Sequence, residues 1–499
     1  MLTGRVKRLL RLHDLPYRVA VPVAVGLLLG VACLCFSPVW TLAALAGAGL
    51  VFVTLKRPEI GLVGILIATS SVVFEERLPL IPIGVGSLHI PDVVLLSLFG
   101  LIALRWLVER DFEIIRTPLD GPLLAFYGIS VVSTFIAVLR GSVEFNHALR
   151  GIRVLVYYLT FFIVTNLVRE ERQLSLLWRG LSVLAAIVAA TMAVQYLLGE
   201  SVPILPGRVE TLWTDGTTYG GIVRILPPGQ SLVLVAFVVT SVKLVVDELR
   251  WTTVFKFLQW GLLALALVLT FNRSFWVVAI LALLLLACLA KGPHKQRLVG
   301  WGLVGLLLAP VGLLLVFDRP EGKAARVVRA SFARLSSLTR KDTFASPDST
   351  FRWRSIEYEY ALPQIISHPL IGLGLGARYR PWDPRLDWEG SEGVGFDGRA
   401  YVHNGHVWVV LKTGLLGYLC LLWLSFTFLI RGFRYWSRSS RSQDKGLVLG
   451  FALSYLGVMV GAIVNPMFMQ WFWTPVIGLM MGANEVILRK VASAGLPRK

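Results

Sequence analysis

Apolar runs of about the length that crosses a bilayer recur along this chain from near Arg18 to near Arg489. No other feature restricts the fold so strongly. Hydrocarbon offers no hydrogen-bond partner to an exposed backbone, so only helices and closed barrels span it. The runs are continuous and do not alternate, which argues against an outer-membrane barrel. With 56% hydrophobic and 16% charged residues in 499, the expectation is an all-α polytopic membrane protein forming one embedded unit. About fourteen spans can be drawn, near 19–37, 39–55, 60–74, 91–107, 122–139, 153–168, 174–198, 229–246, 254–271, 274–290, 298–317, 403–430, 446–465 and 468–488. They divide the chain into helices 1–11 over 1–317, one long loop over 318–402, and helices 12–14 with a tail over 403–499.

The formal net charge is +19, a value that suggests nucleic acid in a soluble protein. Here much of the basic charge falls in short loops between apolar runs, where it orients the chain. Lys56–Arg57, Arg105, Arg110, Arg116, Arg169, Arg172, Lys291, Lys295, Arg297, the cluster Arg431–Lys445 and Arg489–Lys490 all fall on one side if the N-terminus is cytoplasmic. That side is the cytoplasmic one. The basic start "MLTGRVKRLLRLHDLPYR" is followed by no small-residue cleavage site, so the first helix is expected to be retained. Cys33, Cys35, Cys288 and Cys420 all lie inside apolar runs and lack metal-ligand spacing.

Three segments on the other side then stand out: 140–153, 199–227 and 318–402. Arginine collects there. Arg150 and Arg153 open one helix, Arg224 precedes another, and Arg352 and Arg354 lie in the long loop. Arg273 sits in "LTFNRSFWVV", a turn of about four residues between two apolar runs. Boundary arginines also snorkel to lipid phosphate. A guanidinium fixed in so tight a turn suits bidentate binding of phosphate oxygens. The stretch "RVVRASFARLSSLTR" is an amphipathic helix, lying on the membrane interface or packed on the bundle.

"YVHNGHVWVVLKTGLLGY" (401–418) carries His403, Asn404 and His406 to the mouth of a membrane helix, where the bilayer penalises ionisable groups. His403–Asn404, nine residues, Gly414, two residues and Gly417 resemble the histidine motif of the O-antigen ligase and polymerase family. "HPLIGLGLG" (His368 to Gly376) resembles that family's Pro-Leu-x-Gly-x-Gly-x-Gly stretch, and Arg354 takes the place of its preceding arginine, with Tyr358 where a Trp is usual. Arg273 matches an R-x-x-x-L element that ends here in Val277. The motif-bearing resemblance covers roughly 260–425.

What the resemblance implies is a metal-independent, cofactor-free glycosyltransferase with a GT-C-like fold in the bacterial inner membrane, active on the periplasmic face. Its donor would be a glycan on undecaprenyl diphosphate. Its acceptor would be a sugar hydroxyl on lipid A-core for a ligase, or on a second lipid-linked chain for a polymerase. Arg224 and Arg273, with Arg354, would neutralise the leaving diphosphate. His403 would accept or orient the hydroxyl proton. Asn404, His406, Arg352, Arg150 and Arg153 would line the substrate path. A small-anion transporter and a protein O-oligosaccharyltransferase are the rival classes. A transporter would place polar residues near mid-helix, whereas here they gather at the outer rim.

Overall fold

The computed structural model describes residues 49, 52–70, 72, 81–83, 86–214, 217–248, 251–318, 322–337, 350–386, 398–439 and 441–494. The expected span at 19–37 and most of that at 39–55 lie outside them. The described helices are α1 (Pro58–Ala68), α2 (Ile90–Val108), α3 (Asp120–Leu139), α4 (Phe145–Val156), α5 (Thr160–Leu167), α6 (Glu171–Leu198), α7 (Gln230–Val246), α8 (Thr252–Leu269), α9 (Arg273–Leu289), α10 (Pro293–Phe317), α11 (Lys323–Ser336), α12 (Thr350–Ser367), α13 (Gly405–Tyr435), α14 (Ser442–Gly461) and α15 (Thr474–Ala494). A short hairpin pairs β1 (Ile81–Ile83) with β2 (Gly86–Leu88), and a longer one pairs β3 (Arg208–Thr214) with β4 (Thr217–Leu226).

Six described helical segments are long and apolar enough to cross a membrane: α2, α3, the α4–α5 unit, α6, α13 and α14. Helices α1, α7, α8 and α9 are apolar but shorter. The third expected run, 60–74, is the short α1, because the helix already ends at Thr69. Bilayer-length apolar sequence therefore marked most helices, but the six long ones do not by themselves make fourteen crossings.

Helix α7 is the axis of the bundle. Each residue from Ser231 to Val246 is buried, which matches a helix apolar on every side. Glycines let α14 approach its neighbours: a Cβ at Gly450 would lie 2.9 Å from Val239 of α7, and one at Gly457 only 2.4 Å from Val278 of α9. Such close approach gains dispersion where lipid supplies no hydrophobic drive between helices. At one end of the bundle Arg431, read as cytoplasmic from sequence, pairs with Glu485 at 2.7 Å, and Lys256 pairs with Asp247 at 2.7 Å.

The opposite end carries the β3–β4 hairpin, the α8–α9 turn and the start of α13. The hairpin differs from the plain loop expected over 199–227. Its sequence, "RVETLWT" then "TTYGGIVRIL", is rich in the β-branched and aromatic residues that favour strands. Val223 and Ile225 face the main core, whereas Leu212 and Ile222 pack with Phe271, Trp276 and Ala330 of α11. The long 318–402 connection thus carries α11 and α12, both tied to this end.

Candidate active site

The motif glycines build the platform on which His403 stands. Helix α13 breaks at Gly414, whose φ of 68° and ψ of −176° interrupt the helical ladder. The loop 369–377 fills the break. Leu373 and Gly374 donate from their backbone N–H groups to the carbonyls of Leu411 and Lys412, each at 2.9 Å. In return Leu415 donates to Pro369 O at 2.8 Å and Leu416 to Leu370 O at 3.2 Å. The carbonyls freed by the kink are thereby satisfied, as a buried backbone requires. Gly372, Gly374 and Gly376 all have φ between 69° and 85°. A Cβ on Gly372 would stand 2.6 Å from Gly414 N, and one on Gly376 2.4 Å from His147 O. Gly372 and Gly376 form a backbone-on-backbone lock, and Gly374 packs closely on Ala137 and Thr134 of α3.

Lys412, fully buried, fastens the same loop: its ammonium donates to Ala377 O and lies 6.0 Å from the Tyr379 ring centroid. Ser133 of α3 donates to the carbonyls of Ile371 and Lys412. No sequence signal singled out Lys412, because it reads as one polar residue in an apolar run.

At the head of α13, Asn404 is the helix cap. Its side-chain oxygen accepts from the backbone N–H groups of His406 (3.0 Å) and Val407 (3.1 Å), and its amide donates to Tyr358 Oη at 3.0 Å. His406 is held inside the protein through both ring nitrogens. Nε2 lies 2.9 Å from Met459 O and must donate, so Nδ1 accepts from Tyr418 Oη at 3.0 Å. In this structure His406 orients α13 against α14 and has no ring nitrogen left for a ligand.

His403 differs. Its Nδ1 lies 2.7 Å from Glu357 Oε1, and its backbone N–H donates to Glu357 Oε2 at 3.0 Å. A carboxylate can only accept, so Nδ1 carries the proton and Nε2 is the basic nitrogen. The His403 side chain is 40% exposed and that of Glu357 is 6% exposed. A buried carboxylate thus backs an accessible imidazole. Tyr401 meets the ring edge-on, with centroids 5.0 Å apart. Burial, then Glu357, raises the Tyr401 phenol, while Arg354 and Arg208 pull it back.

Arg354 stands one helical turn before Glu357 on α12 and donates to Val464 O at 3.1 Å. Burial lowers its pKa, and Glu357 opposes that shift. A second group of arginines gathers at the α8–α9 turn. Phe271 has φ of 45°, a left-handed conformation rare for an aromatic residue, and it turns the chain sharply into α9. Arg273 opens that helix and donates to Ser337 Oγ at the end of α11. Arg224 donates from Nε to Thr270 O at 3.2 Å and from Nη1 to Glu210 at 3.4 Å. Burial lowers its pKa to about 10; Glu210 opposes the shift, and Arg208 and Arg273 add to it. It stays charged across the neutral range.

The turn 462–470 joins the two groups. Gly405 N–H donates to Ala462 O at 2.7 Å, Arg354 reaches Val464, Asn465 Nδ2 donates to Ser274 Oγ at 2.6 Å, and Gln470 bonds the Tyr401 phenol. Arg208 also connects the groups, acting electrostatically on both Arg224 and Tyr401.

The other arginines singled out from sequence fare differently. Arg153 is committed to Asp92, with Nε 2.8 Å and 3.0 Å from its two oxygens and Tyr157 Oη completing the triad at 2.6 Å. That buried knot ties α4 to α2. Arg150 is exposed and contacts Asn146 O at 3.4 Å, and Arg352 is exposed on α12. Nothing described brings Arg150 or Arg153 to the histidine. Asp383 is taken by Arg385 at 2.8 Å and Tyr360 at 2.9 Å. Among the described residues no three His, Cys, Asp or Glu side chains converge as metal ligands. Sequence reasoning missed Glu357, Asn465 and Gln470, and noted Arg208 only as one of the charged residues of 199–227. Only Glu357 carried a signal, a carboxylate one turn from Arg354 on the same helix.

Fold and site together describe a multi-pass helical membrane protein that gathers arginines and a carboxylate-backed histidine at one end. Residues 260–422, about a third of the chain, match the family model described as O-Antigen ligase. Arg273, Arg354, the glycine loop and the histidine motif all fall inside it; Arg208 and Arg224 precede it. No curated protein matches the chain.

Proposed function

We propose that this protein transfers a glycan from undecaprenyl diphosphate to a sugar hydroxyl, on the periplasmic face of the inner membrane, as a ligase or polymerase with a GT-C-like fold. The observation that carries the reading is the Glu357–His403 pair, which leaves Nε2 basic and accessible beside an arginine-rich rim. The acceptor oxygen attacks the anomeric carbon while the bond to the diphosphate oxygen breaks. The hydroxyl proton passes to His403 Nε2, and the diphosphate leaves with the bonding electron pair. Arg224 and Arg273, assisted by Arg354, meet the growing negative charge. Preorganised cations do this without reorganisation at the moment of reaction, and no metal ion enters the scheme. In this reading 318–402 is the periplasmic segment, with the spans of 1–317 and 403–499 on either side.

Purified protein given a lipid-diphosphate glycan, in the presence of chelator, is expected to extend either lipid A-core or a second lipid-linked chain; which one separates ligase from polymerase. His403→Ala should lose on the order of 10²-fold or more in rate, the usual worth of a general base. Arg273→Ala should also be inactive. Wild-type rates in both folded variants would remove the site. Because Arg224 titrates only near pH 10, no alkaline loss of rate traceable to it is expected below about pH 9.

A further inference from the structure

The β3–β4 hairpin holds an acidic residue where the proposed mechanism calls for an anion. Strand alternation places Arg208 and Glu210 on one face of β3, and the register sets Glu210 directly opposite Arg224 on β4. Glu210 Oε2 lies 2.8 Å from Arg208 Nη2, and Oε1 lies 3.4 Å from Arg224 Nη1. One carboxylate therefore spans two guanidinium groups, much as a phosphate would.

This bridge is unlike the buried pairs Arg153–Asp92 and Arg431–Glu485. Asp92 and Glu485 are nearly enclosed, at 11% and 4% side-chain exposure; Arg153 Nε reaches both oxygens of Asp92, and Arg431 grips Glu485 bidentately. Glu210 is 34% exposed and Arg208 68% exposed, and Glu210 gives only one oxygen to each arginine. A pair this open is held weakly. The two arginines it serves repel one another, and Arg273 adds to the positive charge acting on Arg224.

We propose that Glu210 is a resident stand-in for the donor diphosphate, and that Arg208 is a further guanidinium ligand which exchanges Glu210 for phosphate oxygen when the donor binds. The proposal rests on the reading of this site as a donor site. In the resting protein Glu210 keeps the guanidiniums gathered against their mutual repulsion. The incoming diphosphate carries more charge on more oxygens, displaces the carboxylate and is repelled by it until it does. Singly charged anions gain too little to compete, so the device also selects against them.

The test is titration of inorganic pyrophosphate into full-length protein in lipid nanodiscs, with chloride as the competing anion. Glu210→Gln keeps the shape and removes the charge, and should bind pyrophosphate roughly three- to tenfold tighter. Arg208→Ala should bind about tenfold weaker, and chloride should compete better in Glu210→Gln than in wild type. If Glu210→Gln binds equally or more weakly while Arg273→Ala abolishes binding, the stand-in is overturned and the donor site survives. If wild-type protein binds no pyrophosphate, both fall. Should Glu210→Gln fail to fold, Arg208→Ala decides alone: unchanged binding overturns the proposal.

Discussion

At the scale of single residues, the decisive contact is between Glu357 and His403. Glu357 acts through the imidazole and so is a positioning residue. Glu357→Gln leaves an amide that can present its nitrogen to Nδ1, which admits the wrong tautomer. The expected result is a fall in kcat of at least about tenfold with little change in KM, partly restored in Glu357→Asp. A variant whose KM rises while kcat holds would assign Glu357 to binding. His406 supplies the contrast. His406→Phe should lower the unfolding midpoint, because Met459 O loses its buried donor, at a cost of about 1–3 kcal/mol. Turnover of the protein that remains folded should be unchanged. The histidine motif was legible in the sequence because polar and ionisable residues open an apolar run there, with Gly414 and Gly417 at the family's spacing. Nothing in the spacing could separate the roles of His403 and His406, since their partners Glu357, Met459 and Tyr418 come from distant or unmarked positions.

At the scale of elements, the kink of α13 and the loop that fills it behave as one part. Gly414→Ala sets a Cβ 2.1 Å from Leu370 O at a φ that disfavours any side chain. It should destabilise by more than about 2 kcal/mol and reduce the folded protein recovered from membranes. Lys412→Met retains the length of the side chain but removes the donor to Ala377 O. Hydrogen exchange in 369–380 should rise while the helices of the bundle keep their protection. Asp383 adds a pH signature to the neighbouring turn. Hydrogen bonds from Arg385 hold its carboxyl well below the usual range against the opposing effect of burial. A carboxyl depressed on folding stabilises above its unfolded value and loses that contribution as the pH falls. Local protection around Asp383 should therefore decline only below about pH 4. The glycines of this region were visible in sequence as a repeated Gly-x-Gly-x-Gly stretch. Their joint purpose was not, because backbone pairing between Leu373 and Leu411 leaves no trace in side-chain pattern.

At the scale of the whole molecule, hydropathy located nearly every described helix, since bilayer length and apolar content are properties of consecutive residues. It was blind to the β3–β4 hairpin and to the organisation of 318–402, where helices are held by contacts far apart in the chain. Arg334, for example, is buried in α11 and donates to Phe271 O at 3.2 Å. The arginine-rich rim was legible as a tendency. The segregation of Arg153 into a structural knot with Asp92 was not, since Asp92 lies 61 residues away.

The turn after α14 touches the cap of α13, Arg354, Tyr401 and the residue beside Arg273. It works as a keystone: cations and imidazole are positioned by one short peptide and cannot drift apart independently. Asn465→Ala should therefore depress kcat and weaken pyrophosphate binding together, even though Asn465 reaches the arginine side only through Ser274. Loss of one property with the other intact would show two separately mounted halves.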